Sequence, residues 1–415
     1  MDNRKPQAMK LQHKSFNCFL RPIKRDDRIM IGGFVGLMIS MVWYSGLLWH
    51  ALLGIPVLVS LLWVCQPQRL CLQIVHGFLL GIIWMVSVVG FGQWLKYYLV
   101  EIYKVPTNSM EQTIIPGDRV LVCKWIYGAR QFTGEGIERL WGLRAIERGD
   151  IVVFNSPVEN GDTDGTTERV SWEAANTRNI RHHTPYVKRC VALPGDVVEI
   201  REQELRVNGA VQEAPSTAMF RYRFSFSDSR SMTQAAEWVE RNLLIAPKRL
   251  PPEAMLETFL TRQEADSVSM LPGCMEFHMT HSRPTTVVYP HHDSILWSMN
   301  TWGPMRMPQR GDSILLTEQT TRLYAPIVAL HEGHRITLTG SITSVDGVPR
   351  QYYVFAKDYY FMMGDHRMTS QDSRIIGPIA DDHIIGKATH ILWSVNPEPD
   401  ASHQFRWNRI LKRLK

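Results

Sequence analysis

Charge is what the first quarter of this chain lacks. Between Arg28 and Lys96 the only formally charged residue is Arg69, and a run so poor in charge excludes an ordinary solvated surface. A membrane-spanning helix needs about 20 predominantly apolar residues to cross roughly 30 Å of hydrocarbon. Residues 30–49 and 72–95 meet that requirement. Residues 51–65 form a shorter apolar stretch containing Pro56, readable either as a third span or as a buried re-entrant piece. A buried helical core of a soluble protein is the competing reading, and the length of the charge-free runs argues against it. The apolar region is also too long, and begins too deep in the chain, for a cleavable leader.

Other absences narrow the function. The six cysteines show no C-x-x-C spacing, which removes the usual zinc and redox motifs. Cys123 and Cys190 sit in strand-like runs where a buried thiol is the plain account, and a disulfide among Cys123, Cys190 and Cys274 stays open. The net charge of +6 comes without a dense basic block interleaved with aromatics, so no nucleic-acid partner is expected. A mildly basic balance suits work beside anionic lipid. His182-His183 and His291-His292-Asp293 place adjacent rings on opposite faces of an extended chain, and neither pair has an i, i+4 partner. No metal and no cofactor are expected.

What is present falls into blocks. Lys5, Lys10, Lys14, Arg21, Lys24, Arg25 and Arg28 make residues 1–28 a basic, cytoplasmic N-terminus. Residues 29–96 form the membrane region. With three spans everything after Lys96 lies outside the cytoplasm; with two it does not, and three is the expectation. From Val105 onward short β-branched runs alternate with turn signals such as Pro116-Gly117-Asp118, Pro194-Gly195-Asp196 and Asn208-Gly209. That pattern predicts a mainly β domain. Residues 232–244 and 252–264 are the main helical candidates. Arg148-Gly149-Asp150-Ile151 is echoed by Arg310-Gly311-Asp312-Ser313-Ile314, too few copies for a repeat protein. The basic tail 398–415, with Trp407, Ile410 and Leu411 at near-helical spacing, reads as either a membrane-surface helix or a solvated end.

Three polar elements interrupt this framework. Val105-Pro106-Thr107-Asn108-Ser109-Met110 follows the last apolar run. Tyr186-Val187-Lys188-Arg189-Cys190 places a lysine inside an alternating apolar strand. Met363-Gly364-Asp365-His366-Arg367-Met368-Thr369-Ser370-Gln371-Asp372-Ser373-Arg374 is a polar loop after an aromatic strand. Each is weak alone, since a serine after a turn is usually a cap and a strand lysine usually reaches for solvent. In this order, with Gly117-Asp118, Arg148-Gly149-Asp150 and Gly377, Gly386 and Lys387, they resemble the boxes of signal peptidase I, a Ser/Lys peptidase family. The resemblance covers about 110 residues between Val105 and Ala388.

The resemblance implies a membrane-bound serine endopeptidase that removes signal peptides from exported preproteins, cutting after small residues of the Ala-x-Ala kind. It implies Ser109 as nucleophile, Lys188 as general base, the Ser109 amide and Thr107 hydroxyl as oxyanion hole, and Ser370 as the group orienting the lysine. Asp365, Asp372 and Arg374 would structure the loop. Val105, Pro106, Met110, Ile114, Tyr186 and Val187 would line the substrate pocket. An amine near pKa 10.4 cannot act as a base at neutral pH unless burial lowers it, and apolar Val187 and Val191 flank Lys188. The implied location is the bacterial inner membrane, with the catalytic domain on the periplasmic side and the lipid bilayer, signal peptides and the secretion translocon as partners. His366, Met368 and Thr369 depart from the family's usual Asn, Asp and Asn. The catalytic β-domain would comprise residues 97–201 and 352–397, with 202–351 an inserted β-rich subdomain of the long forms. A specialised pilus or conjugation precursor peptidase with the same dyad is the alternative, and an inactive membrane-anchored binding domain a more distant one. The self-cleaving repressor peptidases share the Ser/Lys chemistry but lack such apolar spans.

Overall fold

The computed structural model describes residues 78, 81, 85 and 88–414, except 134–135, 158–179, 181–182, 251–253, 281–287, 341 and 398–404. The chain divides into two units, Met1–Leu99 and Val100–Lys415. In the first, helical residues 88–94 run into a π-helical turn at Leu95–Leu99. Phe91 stacks on Trp94 there, while Phe78, Met85, Val88 and Val89 are exposed. No described helix is long and apolar enough to cross a membrane. The basic N-terminus and the spans read at 30–49 and 51–65 lie outside the described residues, as does most of 72–95.

The second unit is mainly β. Its central eight-stranded sheet runs in the order Val100–Lys104, Asp118–Cys123, Ile384–Ser394, Ile151–Asn155, Pro185–Ala192, Tyr359–Met363, Ile379–Ala380, with Lys412–Arg413 added beside Ile384–Ser394. Every pairing is antiparallel. Strand residues alternate between faces, so a strand covered on both sides must be apolar throughout. Ile151–Asn155 shows this: Ile151 and Val153 enter one core cluster with Val120, Val122 and Ile391, while Val152 and Phe154 enter another with Cys190 and Met362.

One turn starts four of the strands. In Ile115-Pro116-Gly117-Asp118, Glu147-Arg148-Gly149-Asp150, Leu193-Pro194-Gly195-Asp196 and Gln309-Arg310-Gly311-Asp312, the Asp amide donates to the carbonyl three residues back. Its carboxylate accepts from the amide of that same residue. Each glycine has φ near +90°, the left-handed region that favours glycine. The echo noticed at Arg148 and Arg310 is therefore a local turn used at four places.

The described parts of the segment 202–351 pair with strands on both sides of it. Glu204–Val207 and Trp302–Arg306 both pair with Val197–Arg201, and Ser313–Leu315 pairs with Tyr352–Val354. Their side chains share a core with Phe361 and Met363 of the central sheet. Residues 218–268 alone have their own cluster, built on the sheet Lys248–Leu250, Met255–Leu260, Phe220–Phe226, Cys274–Met279. The helix expected near 232 is present as Ser229–Leu243, capped by Asp228. That expected at 252–264 is instead the strand Met255–Leu260 followed by the helix Arg262–Ser269. Burial along the strand alternates with period two, and Thr261 with Glu264 forms a capping box that starts the helix late. In the described part of the C-terminal tail, Trp407–Arg409 makes a single 3-10 turn, Lys412–Arg413 joins the sheet, Leu414 is buried, and Arg409 pairs with Asp118 at 2.6 Å. Cys123, Cys190 and Cys274 are free thiols.

Candidate active site

The serine box follows the strand Val100–Lys104 and folds into tight turns. Glu111 N donates to Asn108 O, and Ile114 N to Met110 O at 2.7 Å. Met110 and Ile114 point inward and are fully buried in the core with Val105 and Val120. This fixes the turn and leaves Ser109 at the rim, 7% exposed. Lys188 lies opposite Val152 in the strand Pro185–Ala192. Its Nζ is 2.5 Å from Ser109 Oγ, within a buried contact. Burial pushes the Lys188 amine down to about 8; the Asp372 and Asp365 charges partly oppose this, and the Arg374 charge adds to it. The Tyr186 ring covers the amine at 5.4 Å.

Around the serine, the Thr107 hydroxyl stands 3.5 Å from Ser109 Oγ. The Ser109 amide has no acceptor among the described residues, whereas its carbonyl accepts from the His366 amide at 3.1 Å. That bond brings the Gly364–Arg374 loop against the serine turn. Gly364 permits the approach: a Cβ there would lie 2.5 Å from Ser109 O and 2.2 Å from Ser370 Oγ.

Two buried ion pairs hold this loop. Arg189 grips Asp365 with two bonds, Nε to Oδ1 at 2.9 Å and Nη2 to Oδ2 at 2.8 Å, while Thr113 and Thr217 hydroxyls add to Oδ2. Burial alone would raise Asp365, but the Arg189 fork and Thr113 outweigh it and keep the carboxylate below its usual range. Asp372 is fully buried; it caps Ser373–Ile376, binds Arg374 in the same two-bond manner, and accepts from the Gly364 amide at 3.0 Å. Arg374 continues to the carbonyls of Arg367 and Met299.

A cleft of about 460 Å³ opens beside the pair, lined among others by Val105, Pro106, Thr107, Ser109, Tyr186, Val187 and Lys188. Of the pocket residues expected from sequence, Val105, Pro106, Tyr186 and Val187 line it. Met110 and Ile114 do not; both are core side chains beneath the serine turn. Ser370 differs too. It is buried next to Gly364, yet its hydroxyl makes no hydrogen bond with any described atom, so the expected bond to the Lys188 amine is not formed in this structure. Sequence reasoning also passed over Arg189, Thr113, Thr217 and Met219. Arg189 carried a usable signal, because a buried arginine beside a buried lysine requires its own carboxylate on the opposite face of the strand. Thr217 and Met219, which donates its amide to Asp365 O and accepts from the Arg367 amide, are more than a hundred residues from the serine box and carried none.

The sequence pattern of the family described as "Signal peptidase, peptidase S26" matches residues 79–255 and 319–393, more than half of the chain. The chain belongs to that family. It is 22% identical over 305 residues to the signal peptidase I of Buchnera aphidicola subsp. Schizaphis graminum, covering 72% of this chain and 70% of the relative. Over 333 residues it is 21% identical to that of Haemophilus influenzae, covering 77% and 71%. A shorter match to that of Pseudomonas aeruginosa is 34% identical over 116 residues, 28% of this chain and 32% of the relative. As a signal peptidase it is a hydrolase, a serine endopeptidase that removes signal peptides from preproteins.

Proposed function

We propose that this signal peptidase cuts with a Ser109/Lys188 dyad; the observation that carries the reading is the buried 2.5 Å contact between Nζ and Oγ. In its uncharged form the amine accepts the Ser109 proton as Oγ attacks the scissile carbonyl. The resulting ammonium gives that proton to the departing amine, leaving an acyl-serine. Water, deprotonated by the same amine, then releases the signal peptide. The developing oxyanion takes its bonds from the unoccupied Ser109 amide and the Thr107 hydroxyl. Ser370, whose hydroxyl is unbonded here, orients the lysine once that hydroxyl turns toward the amine, while Asp365, Asp372 and Arg374 keep the loop in register.

The substrate residues nearest the cut are small. The Val105, Pro106, Tyr186 and Val187 walls are apolar and close to Ser109, which supports shallow pockets for Ala-sized side chains. The charge-poor N-terminal region serves as a multi-pass anchor in the bacterial inner membrane, three spans carrying the catalytic domain to the periplasmic side, next to the bilayer and the secretion translocon. Purified full-length protein should cleave a preprotein bearing an Ala-x-Ala site. Ser109→Ala and Lys188→Met should each lower turnover by at least about 10³-fold with circular dichroism unchanged. Retained turnover in either variant removes the dyad.

A further inference from the structure

Outside the serine site, three ligand-type side chains gather between two elements of the fold. His331 lies in the π-helical turn Val328–Glu332, and Asp382 and His383 in the 3-10 turn that opens the strand Ile384–Ser394. One donor atom from each lies within 4.8 Å of the other two. The two imidazoles meet edge to face, with centroids 4.7 Å apart, and both residues are at most 3% exposed.

Their outer partners fix which atoms are left over. His331 Nε2 is 3.1 Å from the Pro378 carbonyl, and His383 Nδ1 is 3.1 Å from the Asn155 carbonyl. A carbonyl oxygen only accepts, so each of those nitrogens carries the hydrogen. The lone pairs therefore sit on His331 Nδ1 and His383 Nε2. His331 Nδ1 is buried without a partner, as is Asp382 Oδ1, and no described atom bonds His383 Nε2. Lys357 occupies the other carboxylate oxygen, Oδ2, at 2.6 Å, and Arg130 takes the carbonyls of Asp382 and His383. Neither cation reaches the orphaned atoms.

Two of these acceptors, His331 Nδ1 and Asp382 Oδ1, are fully buried and lack any donor among the described residues. A buried acceptor left unmatched forfeits the hydrogen bonds that it has in water, so such atoms call for a partner. Two neutral imidazoles, each donating its other N–H to a backbone carbonyl, together with one carboxylate, match the donor set and outer hydrogen bonding of a divalent transition-metal site. We propose that His331, Asp382 and His383 bind a divalent transition-metal ion, zinc in the first instance, with a fourth position open to water. Among the described residues the ion ties the turn at His331 to the start of the longest strand of the catalytic sheet, so its loading is read out as stability. Ligand separations must close from 4.8 Å toward those set by metal–ligand bonds of about 2.0–2.2 Å, a movement within side-chain torsion.

The test uses the full-length protein in detergent, stripped with a chelator and dialysed. Titration with Zn²⁺ should load a single ion per chain and raise the melting temperature, and Co²⁺ should give the visible absorption of a low-coordinate nitrogen/oxygen site. His331→Ala and His383→Ala should each weaken binding by at least tenfold. Asp382→Asn, which preserves side-chain shape and an oxygen for Lys357, should do the same without loss of fold. Failure of the stripped protein to take up Zn²⁺ or Co²⁺, or uptake with undiminished affinity in Asp382→Asn and both histidine variants, overturns the proposal.

Discussion

At the scale of single residues, the chemistry turns on one buried amine. With Lys188 near 8, the fraction of base-competent enzyme grows about tenfold per pH unit below that value and levels off above it. On the proposed mechanism kcat/KM therefore climbs from pH 6 to a plateau above about pH 8.5. A profile already flat at pH 6, with chemistry rate-limiting, speaks against Lys188 as base. The same depression has a stability cost. The unfolded chain binds a proton at this lysine up to its ordinary value, and the folded chain releases it earlier, so stability at neutral pH is diminished and recovers as pH rises through 8 to 10.5. Lys188→Met removes a penalty on the order of 3 kcal/mol and should raise the melting temperature at pH 7 while abolishing turnover. Thr107→Val should reduce kcat by about 10²–10³ with little change in KM, the signature of a bond made only in the transition state.

Much at this scale was legible from residue order. A serine after an apolar run, a lysine in an apolar strand and a Gly-Asp loop in that sequence bring Ser109 and Lys188 together in the structure. What order cannot express is depth. Met110 and Ile114 flank the nucleophile in sequence, yet the turn sends them into the core, so adjacency to Ser109 did not make them pocket residues. Ser370 shows a related limit: a motif position says nothing about which way a buried hydroxyl is turned.

At the scale of elements, the Gly364 loop is held by close backbone contact as much as by charge. Gly364→Ala places a methyl 2.5 Å from Ser109 O, closer than real contacts allow, and should cut kcat by more than about tenfold by pushing the serine turn from Lys188. The four Gly-Asp turns explain why strand positions were readable from sequence, since each turn announces the strand it opens. The helix expected at 252–264 failed for the opposite reason. Met255–Leu260 packs one face on the strand Phe220–Phe226, and this tertiary pairing overrode the local helical tendency. Pairings across long separations, such as Val197–Arg201 with Trp302–Arg306, left no local mark in the sequence.

At the scale of the whole molecule, buried ionisable groups make the catalytic unit sensitive to acid. His366 is pushed by burial down to about 4 from an ordinary 6.5. Between those values the unfolded chain takes up a proton that the folded chain refuses, so stability is full above about pH 6.5 and declines as pH falls toward 4. Asp150, held down to about 2 by Arg144, Lys387 and Tyr127 despite its burial, adds a loss below about pH 4 that is complete only near 2. Melting temperature measured from pH 8 to pH 3 should fall first gently and then steeply; an unchanged value down to pH 4.5 would contradict the buried uncharged state of His366.

The His366 amide that grips the Ser109 carbonyl has a further consequence. The bond is made by the peptide unit, which every amino acid but proline can supply, so it does not depend on the side chain that packs beside Phe259. A change of side chain at this position leaves the peptide bond to Ser109 O in place, and the nucleophile is insulated from it.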